Sequence, residues 1–411
     1  MARLFYGWRM VGAATGMQFL QAALVNNAFG AYVAVLAEER GWSKTALSGA
    51  AALQQMEAAL LGPVLGWLLD RFGPRVFIRA GVFFLGGGLM LLSTVDSLAG
   101  FYGAFVVIAM GGSLAGFFPL NVALIHWFER YRARALSSMS LGLALGGIAA
   151  PLVAWSLQTY GWRPTAFYSG VLAILVGFPL ALVMRNKPED YGLKVDGAAE
   201  LPADRTSATE EKESTRDFTA REALRTPAFW LISLGHGFAL FVVHTVLVHA
   251  ITHLKEGLGY SVAAAALIMG MVTVFQIVGV MIGWWIGERF DKRLISAACM
   301  LMHALGLLLL TYAVAMPMLV AFAVLHGTAW GLRGPFMQAI RADYFGRAAI
   351  GMILGLSYMI IIIGQMGGPL IAGAFADATG DYRAGFTLLA VLAGLGSSFF
   401  LLARKPARPA R

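Results

Sequence analysis

The sequence predicts an all-α membrane protein with twelve transmembrane helices arranged as two pseudo-symmetric six-helix halves. Three observations predict this class: an apolar composition, twelve long apolar segments and an internal repeat. Of the 411 residues, 59% are hydrophobic and 13% are charged, whereas a soluble domain carries about 25% charged residues. A water-soluble core cannot bury that much apolar surface, so an ordinary soluble protein is excluded. The single Cys also excludes a disulfide framework.

Each of the twelve segments is long enough for a helix to cross about 30 Å of hydrocarbon. Inside lipid a segment has to satisfy its own backbone polar groups, so each segment is expected to be helical. The first six predicted spans are 10–36, 45–69, 76–94, 99–125, 137–158 and 164–184. After a polar gap, the last six are 228–252, 262–286, 294–313, 318–340, 350–375 and 384–402.

The basic residues fall on alternate loops. With a cytoplasmic N-terminus, 25 of the 31 Lys and Arg residues lie on the cytoplasmic side, and five lie opposite: Arg40, Lys44, Arg163, Lys255 and Arg383. The positive-inside rule then predicts that both termini are cytoplasmic, and we expect a bacterial inner membrane. Because topology accounts for the net charge of +9, no basic surface remains for nucleic acid, and we expect no nucleic-acid partner.

The one long polar segment separates the two sets of spans. Residues 185–226 contain eight basic and ten acidic residues and few large apolar ones, a composition typical of a linker. We therefore predict an N-terminal six-helix bundle at 1–184, a partly ordered cytoplasmic linker at 185–226 and a C-terminal six-helix bundle at 227–411. The N-terminal stretch runs into a long span without an obvious cleavage site, which favours a first helix over a signal peptide.

Short motifs recur at an offset of 218 residues. The matched pairs are Gly41-Trp42-Ser43 with Gly259-Tyr260-Ser261, Asp70-Arg71-Phe72 with Glu288-Arg289-Phe290, and Pro151 with Pro369. One offset that holds across six spans indicates two homologous halves. Glycine-rich runs around the two prolines predict close approach between helices.

The motifs of the first repeat resemble a known transporter family. GWLLDRFGPR (Gly66 to Arg75) resembles the loop 2-3 signature of the major facilitator superfamily, and WWIGERFDKR is its weaker second copy. Tyr6-Gly7-Trp8, the Gly-Trp-Ser after helix 1 and AREALRTPAFW (Ala220 to Trp230) resemble the monocarboxylate porter and oxalate/formate antiporter branch. The resemblance implies a secondary active transporter that works by alternating access, with its substrate site near mid-membrane between the halves. We expect a monomer without cofactor or metal.

Charged residues of the two signature loops predict a cytoplasmic gate. Asp70 lies at a helix end beside Arg71 and Arg75, and Glu288 and Arg289 occupy the same places in the second half. Charge-assisted clusters of this kind can hold neighbouring helices together and open as the halves rock. The alternative is that these charges only fix the topology.

One basic residue, Arg333, remains inside a span, eight residues from Arg341 and so roughly 12 Å inside the membrane. A cation there costs about 2.5–3.5 kcal/mol, so it should face protein or water. Its repeat mate is Ala115, and the segment Gly331 to Pro335 permits a locally opened helix. A guanidinium fits a carboxylate, which predicts capture of a small organic anion. The alternative is a structural Arg satisfied by carbonyls or an acid.

Proton coupling has two candidates, Glu57 and His244. Glu57 lies 13 residues from both Lys44 and Asp70, deep in a span. If Glu57 neighbours Arg333, an anion that binds the Arg removes the partner of Glu57 and favours its protonation, which amounts to symport. The alternative is a Glu that is protonated or hydrogen-bonded between helices 2 and 11. A histidine can also carry a coupling proton.

Polar residues also occur at equivalent positions of helices 1 and 7. Gln18 maps to His236 and Asn26 maps to His244. A position that faces lipid would not be polar in both halves, so we expect these residues to line or flank the central path. The further residues that we expect in the cavity are Gln276, Trp330 and Tyr358. His303 and His326 are isolated in the sequence and do not indicate a metal site. Helices 8 and 11 lack the cation that the resembled branch tends to carry there, and this favours one carboxylate over two.

Two other functions remain open. One is proton-coupled efflux of amphipathic or cationic compounds, with Glu57 as the recognition acid. The other is a nutrient sensor that signals through residues 185–226. An enzyme is not expected, because no nucleophile with a paired base and no metal cluster is visible. The chain has no phosphate-cradling nucleotide loop, which excludes an ATP-driven pump on this chain.

Overall fold

The structure is a computed structural model that describes residues 5–197 and 216–410. Within these ranges the long regular elements are all helices, which confirms the predicted all-α class. The first six long helices are α1 (Tyr6–Arg40), α2 (Lys44–Phe72), α3 (Pro74–Leu92), α4 (Leu98–Trp127), α5 (Arg132–Tyr160) and α6 (Trp162–Val183). The last six are α7 (Pro227–Gly257), α8 (Val262–Ile286), α9 (Lys292–Thr311), α10 (Met316–Phe345), α11 (Ile350–Thr379) and α12 (Arg383–Leu402).

Ten of these helices are long and apolar enough to cross a membrane. The two others are α2 and α10, which contain Glu57 and Arg333 and whose polar residues lower the mean hydropathy. Several helices run a few residues past the predicted spans, because hydropathy detects only the part that matches the hydrocarbon and not the polar last turns. One such difference is at α10, which continues to Phe345 where the sequence predicted an end at residue 340.

The repeated Gly-aromatic-Ser motif is a helix-to-helix turn. Gly41 and Gly259 have φ angles of 67° and 75°, a left-handed conformation that glycine adopts without steric cost. Two residues later, Ser43 Oγ accepts a hydrogen bond from Ala46 N at 3.1 Å, and Ser261 Oγ accepts one from Ala264 N at 3.2 Å. Each motif therefore follows one helix and caps the next.

The chain divides into two compact units, residues 1–203 and 204–411. In the first unit the main helix pairs are α3 with α4, α3 with α6, α1 with α5 and α2 with α4. The second unit repeats the same four pairings, as α9 with α10, α9 with α12, α7 with α11 and α8 with α10. The predicted boundaries of the linker at residues 185 and 226 stay a prediction.

Glycines bring the repeated helix pairs into backbone contact. A Cβ on Gly146 of α5 would meet the carbonyl oxygen of Phe19 on α1, and a Cβ on Gly364 of α11 would collide with the carbonyl oxygen of Gly237 on α7. The two contacts are repeat mates, because Gly364 and Gly237 lie 218 residues after Gly146 and Phe19. The same close packing joins α8 to α10, where a Cβ on Gly331 would collide with the carbonyl oxygen of Gln276. Small residues at such crossings let helices approach closely in membranes, as the glycine-rich runs predicted.

Gly331→Ala should lower the stability of the protein, because the added methyl group forces α8 away from α10 at a cost of about 1–3 kcal/mol. Gly334→Ala is the matched control on the same helix, since nothing lies within 4 Å of a Cβ at that position. Thermal unfolding of both variants in one detergent checks the expectation. Equal melting temperatures for the two variants would contradict the close packing.

Both ends of the predicted linker bind the loop that precedes a long helix of their own unit. The Asp196 carboxylate accepts hydrogen bonds from the backbone N–H groups of Glu129, Arg130 and Tyr131 at 2.7–3.3 Å. The Asp217 carboxylate accepts from the N–H groups at 347 and 348, at 2.8 and 3.2 Å. Positions 129–130 and 347–348 are repeat mates, so equivalent loops carry equivalent caps. Residues 198–215 of the predicted linker lie outside the described residues.

Asp217→Ala should destabilise the protein by about 1–3 kcal/mol, because the two backbone N–H groups lose a charged acceptor. Asp377→Ala removes an exposed carboxylate on α11 and serves as control. The measurement is the shift of thermal unfolding relative to the unsubstituted protein. A shift no larger than that of the control would show that the Asp217 cap contributes little.

Three loops of the first unit meet at Asp96. Its Oδ1 accepts hydrogen bonds from Nη2 of Arg40 at 2.7 Å and from Nη2 of Arg163 at 2.6 Å. These two guanidinium groups hold the pKa of the exposed Asp96 carboxyl below its usual range. The ends of α1, α3 and α5 therefore lie at the same end of the unit, as alternate crossing of a membrane requires.

Candidate functional site

One face of α10 carries a histidine, a tryptophan and two arginines in a row. Spacings of three and four residues place a set of side chains on the same face of a helix. The set is His326, Trp330, Arg333, Met337 and Arg341. The rings of His326 and Trp330 have centroids 6.4 Å apart, and Met337 contacts both arginines. The face therefore forms a continuous row of side chains along the helix.

Arg333 is a buried cation with little compensation. Its residue surface is 2% exposed, and its described hydrogen bond runs from Nη1 to Sδ of Met337 at 3.4 Å. A thioether is a weak acceptor. Nε of Arg333 is buried without a hydrogen-bond partner, and no carboxylate of the described residues pairs with the guanidinium. Part of its donor capacity is thus unused.

Arg341 is a second buried guanidinium, and it lies inside α10 rather than just past the predicted helix end at residue 340. It is 1% exposed within α10, because the helix extends to Phe345. Its Nη1 donates to the carbonyl oxygen of Met337 at 2.6 Å and its Nε to Oγ of Ser357 at 3.1 Å. Unlike Arg333, Arg341 is held by oxygen acceptors on its own helix and on α11.

His236 receives a hydrogen bond from Arg341. Nη2 of Arg341 lies 3.3 Å from Nδ1 of His236 on α7. Because a guanidinium offers only donors, Nδ1 of the imidazole accepts and the ring proton sits on Nε2. Ser357, which accepts from Arg341, is also within 2.8 Å of Oγ of Ser233 on α7. The network fixes α7, α10 and α11 against one another around a single charge.

The helix opening expected at Arg333 is absent, since α10 is continuous from Met316 to Phe345. Gly331 packs its backbone on Gln276 and so provides close approach rather than an opening. The break occurs in the repeat mate, α4, where Gly116 separates helical segments Leu98–Ala115 and Phe117–Trp127 with a ψ of −153°. In this conformation α10 therefore has no opened turn that would free backbone carbonyl groups near Arg333.

The other residues predicted for the C-terminal part of the site lie on three helices. Gln276 of α8 is 9% exposed, and its carbonyl oxygen faces Gly331. Trp330 is half-buried and packs against Leu240 and a small apolar group of α7 and α11. His244 of α7 and Tyr358 of α11 are also half-buried. The charge of Arg333 reaches His244, and Tyr358 lies close enough to Arg341 to interact electrostatically.

The first unit contains the predicted acid in a polar cluster of its own. Oε2 of Glu57 accepts a hydrogen bond from Oγ of Ser113 on α4 at 2.8 Å, and Oε1 is buried without a hydrogen-bond partner. Gln21 and Gln54 border the same part of α4, since both amides lie within 4 Å of a Cβ built on Gly112. Glu57 of α2 is therefore hydrogen-bonded to α4 of its own unit.

The two polar residues predicted on α1 differ in exposure. Gln18 is 2% exposed, and its Nε2 has no hydrogen-bond partner. Asn26 is exposed at the end of a π-helical segment, Ala22–Asn26. A π-bulge often marks a functional position in a helix. Gln18 and its mate His236 thus share a buried position, while Asn26 and His244 are more open.

The predicted gate residues show the same geometry in both units. Arg71 lies over the Trp67 ring at 5.3 Å, and Arg289 lies over the Trp285 ring at 5.3 Å, one turn apart in each case. Arg75 instead extends toward Tyr191, with Nη1 at 3.4 Å from its hydroxyl oxygen. Asp70 and Glu288 are half-buried next to the stacked arginines. The repeated stacking fixes where each arginine points.

Two histidines that looked isolated in the sequence form a pair. Nδ1 of His303 on α9 lies 3.1 Å from Nδ1 of His326 on α10, and both residues are fully buried. The repeat mates of His303, His326 and Arg341 are Leu85, Ile108 and Ala123. Each of the three is a polar residue with an apolar repeat mate, as Arg333 is, so comparison of the two halves identifies them in the same way. No three His, Cys, Asp or Glu residues are grouped for a metal ion in the described ranges.

The two buried arginines should respond differently to removal. Arg341→Met should lower the free energy of unfolding by about 2 kcal/mol or more, because the buried acceptors of Arg341 lose a charged hydrogen-bond donor. Arg333→Met should leave stability unchanged or raise it, because a poorly paired buried charge costs more than an apolar side chain. Thermal unfolding without added ligand checks both, with exposed Arg9→Met as control. An equal loss in the two variants would make Arg333 a structural residue.

Comparison with known proteins points to one family. The sequence model described as "Major Facilitator Superfamily" matches residues 14–251 and 237–411. The chain is 27% identical over 405 residues to monocarboxylate transporter 13 of Bos taurus, over 95% of this chain and 88% of that protein. It is 25% identical over 371 residues to a glycerol-3-phosphate transporter of Bacillus subtilis, over 86% and 82%. A solved proton:xylose symporter shares the fold, with a TM-score of 0.72 and 16% identity over 96% of this chain and 95% of that one.

Proposed function

We propose, because the chain belongs to the Major Facilitator Superfamily, that it carries a small monocarboxylate-like anion across the membrane together with a proton. Membership confirms the resemblance and the fold predicted from the sequence. It also makes the protein an integral membrane transporter rather than an enzyme. A small molecule is therefore its substrate.

The anion proposal rests on the incomplete hydrogen bonding of the buried Arg333 side chain. A buried guanidinium with a thioether as its described acceptor and an unpartnered Nε has donors available for a ligand. Its planar fork matches a carboxylate, which can accept two hydrogen bonds side by side. Relatives named monocarboxylate transporters support this class of cargo. One such cation favours a single carboxylate over two.

The remaining site residues are proposed to orient the cargo. Amide, imidazole and aromatic groups fix the position of a small anion, while apolar neighbours exclude water. The proposed set is Gln18, Asn26, His236, His244, Gln276, Trp330 and Tyr358. Alternating access then exchanges the side from which the site is reached. Asp70, Arg71, Arg75, Glu288 and Arg289 are proposed as the cytoplasmic gate.

Protons are proposed as the coupling ion, with Glu57 and His244 as the carriers expected from the sequence. The unpartnered Oε1 of Glu57 supports a carboxyl group that gains and loses a proton. We further propose that the protein is a monomer in a bacterial inner membrane with both termini in the cytoplasm. The distribution of basic residues supports this orientation.

The same oxygen of Glu57 favours a second candidate function, proton-coupled efflux of amphipathic or cationic compounds. A half-buried carboxylate with a free acceptor is the group that would recognise a cation. In that case Arg333 is structural and Glu57→Gln abolishes binding of the cargo. The two functions therefore assign the essential charge to different units.

Arg333→Ala should abolish anion binding and transport. Small monocarboxylates such as lactate, pyruvate and benzoate are screened by thermal shift, since a ligand at 100 times its Kd stabilises by about 2.7 kcal/mol. The unsubstituted protein and the control Arg9→Ala should be stabilised by the same compounds, and Arg333→Ala by none. In proteoliposomes an inward proton gradient should drive uptake of the stabilising compound. Stabilisation of Arg333→Ala, or uptake indifferent to the gradient, would contradict the proposal.

A further inference from the structure

The His303–His326 pair combines deep burial with unused nitrogen atoms. The two Nδ1 atoms are 3.1 Å apart, and the ring centroids are 4.7 Å apart at 68°. Nε2 of each ring is buried without a hydrogen-bond partner among the described residues. Neither Nε2 therefore helps to hold the fold, although each is a strong hydrogen-bonding group. The Nε2 atoms of the pair are thus not occupied by hydrogen bonds of the fold.

The contact between two Nδ1 atoms fixes the tautomers of the neutral pair. One ring has to donate Nδ1–H and the other has to accept it, so the donor ring has a lone pair on Nε2 and the acceptor ring has its proton there. A further proton can bind only at the free Nε2 lone pair. The Nδ1–H···Nδ1 bond is then charge-assisted and stronger. The pair is thus suited to hold one extra proton.

Arg333 controls whether that extra proton is tolerated. It lies seven residues after His326 on the same face of α10, about 10 Å along the helix axis, and its positive charge acts on both imidazoles. Without a bound anion, the Arg333 guanidinium therefore repels a proton that approaches the pair. An anion bound to Arg333 cancels this repulsion.

Among the described residues, the other ionisable groups near mid-length of the helices around the pair are a cysteine, histidines and a tyrosine. Cys299 lies one turn before His303 and is fully buried. Helix α7, which packs on α9 and α10, contributes His236 and His244, and α11 contributes Tyr358. Helices α8 and α12 have no ionisable residue between 262 and 286 or between 384 and 402. In the described part of the chain, Arg333 is thus the permanent charge near mid-length of this helix group, whereas Arg341 lies toward the end of α10.

We propose that the His303–His326 pair binds the coupled proton, and that an anion on Arg333 is what allows the proton to bind. The inference rests on the proposed function, since it requires an anion at Arg333, and it moves the coupling role from Glu57 and His244 to the pair. Both imidazoles are fully buried here, so exchange of the proton with water needs another conformation. A proton held in this way is occluded while the carrier changes state.

The first experiment needs no cargo. Protein labelled with ¹⁵N-histidine is titrated in nanodiscs by NMR, with His303→Gln and His326→Gln used to assign the pair. The unsubstituted protein should show one Nδ1–H and one Nε2–H tautomer. In Arg333→Met the pair should take up its extra proton about one pH unit higher, the size expected for a unit charge at roughly 10 Å. An unchanged titration, or two identical tautomers, would overturn the inference.

The second experiment separates coupling from binding in proteoliposomes with radiolabelled lactate as probe. Exchange of outside for inside lactate at equal pH needs the anion site but no net proton movement. His303→Gln and His326→Gln should keep this exchange within about twofold and lose about tenfold or more of the accumulation driven by an inward proton gradient. Arg333→Met should lose both activities. His253→Gln, a buried histidine bonded to the Leu310 carbonyl, should keep both.

The outcomes distinguish the two proposals. Full accumulation by the His303 and His326 variants overturns the inference and leaves the anion proposal intact. Loss of exchange together with accumulation in those variants also overturns it, because the pair would then act on the anion site or on folding. If the unsubstituted protein neither exchanges nor accumulates lactate, the proposed cargo is wrong, and the NMR titration alone decides the role of the pair.

Discussion

A positive charge buried in a membrane helix without a matching negative charge is the constraint on which the second unit depends. Such a group is expensive in a low dielectric, and proteins retain it where it meets a ligand or a partner. Arg333 and Arg341 illustrate the two ways to hold a guanidinium. Arg341 donates hydrogen bonds to oxygen and nitrogen acceptors of α7, α10 and α11. The described acceptor of Arg333 is the sulfur atom of Met337. The difference in pairing, more than the difference in depth, separates a structural cation from a candidate binding group.

The scaffold around these charges is the same in both units, so function has to lie in the residues that differ. The contact of Phe19 with Gly146 recurs as Gly237 with Gly364, and the linker caps equivalent loops in each unit. These repeated contacts involve glycines and backbone groups, which tolerate change at neighbouring side chains. Ala115, Leu85 and Ile108 show that the fold forms with apolar residues where the second unit has Arg333, His303 and His326. The polar residues are therefore additions to a scaffold that does not need them.

Much of the fold and part of the candidate site could be predicted from the sequence. The number of helices follows from hydrophobic length, because a helix satisfies its own backbone groups in lipid. The 218-residue offset predicts that the two units repeat one packing, although it does not say which helices pair. Arg333 and Glu57 could be found because a charge among apolar residues stands out. His303 and His326 could not be paired, since their contact depends on the rotation of α9 against α10, which no local pattern fixes. The predicted end of α10 at residue 340 leaves Arg341 outside the helix, because hydropathy cannot tell a helix end in water from a helix end buried in protein.

The charge balance of the proposed cycle explains why one buried cation and one imidazole pair belong together. The empty second unit has the charge of Arg333 at its site. The loaded unit has that charge, one negative charge from the anion and one positive charge from the proton on the histidine pair, so the sum is unchanged. A carrier whose empty and loaded forms have equal buried charge faces the same electrostatic cost in both when it changes state. A proton without the anion would add a full unit of charge to the buried site in a low dielectric, whereas an anion without the proton would leave a neutral pair at Arg333. The proton is therefore carried only together with the anion, without any direct contact between the two, while a carrier loaded with anion alone can still exchange it.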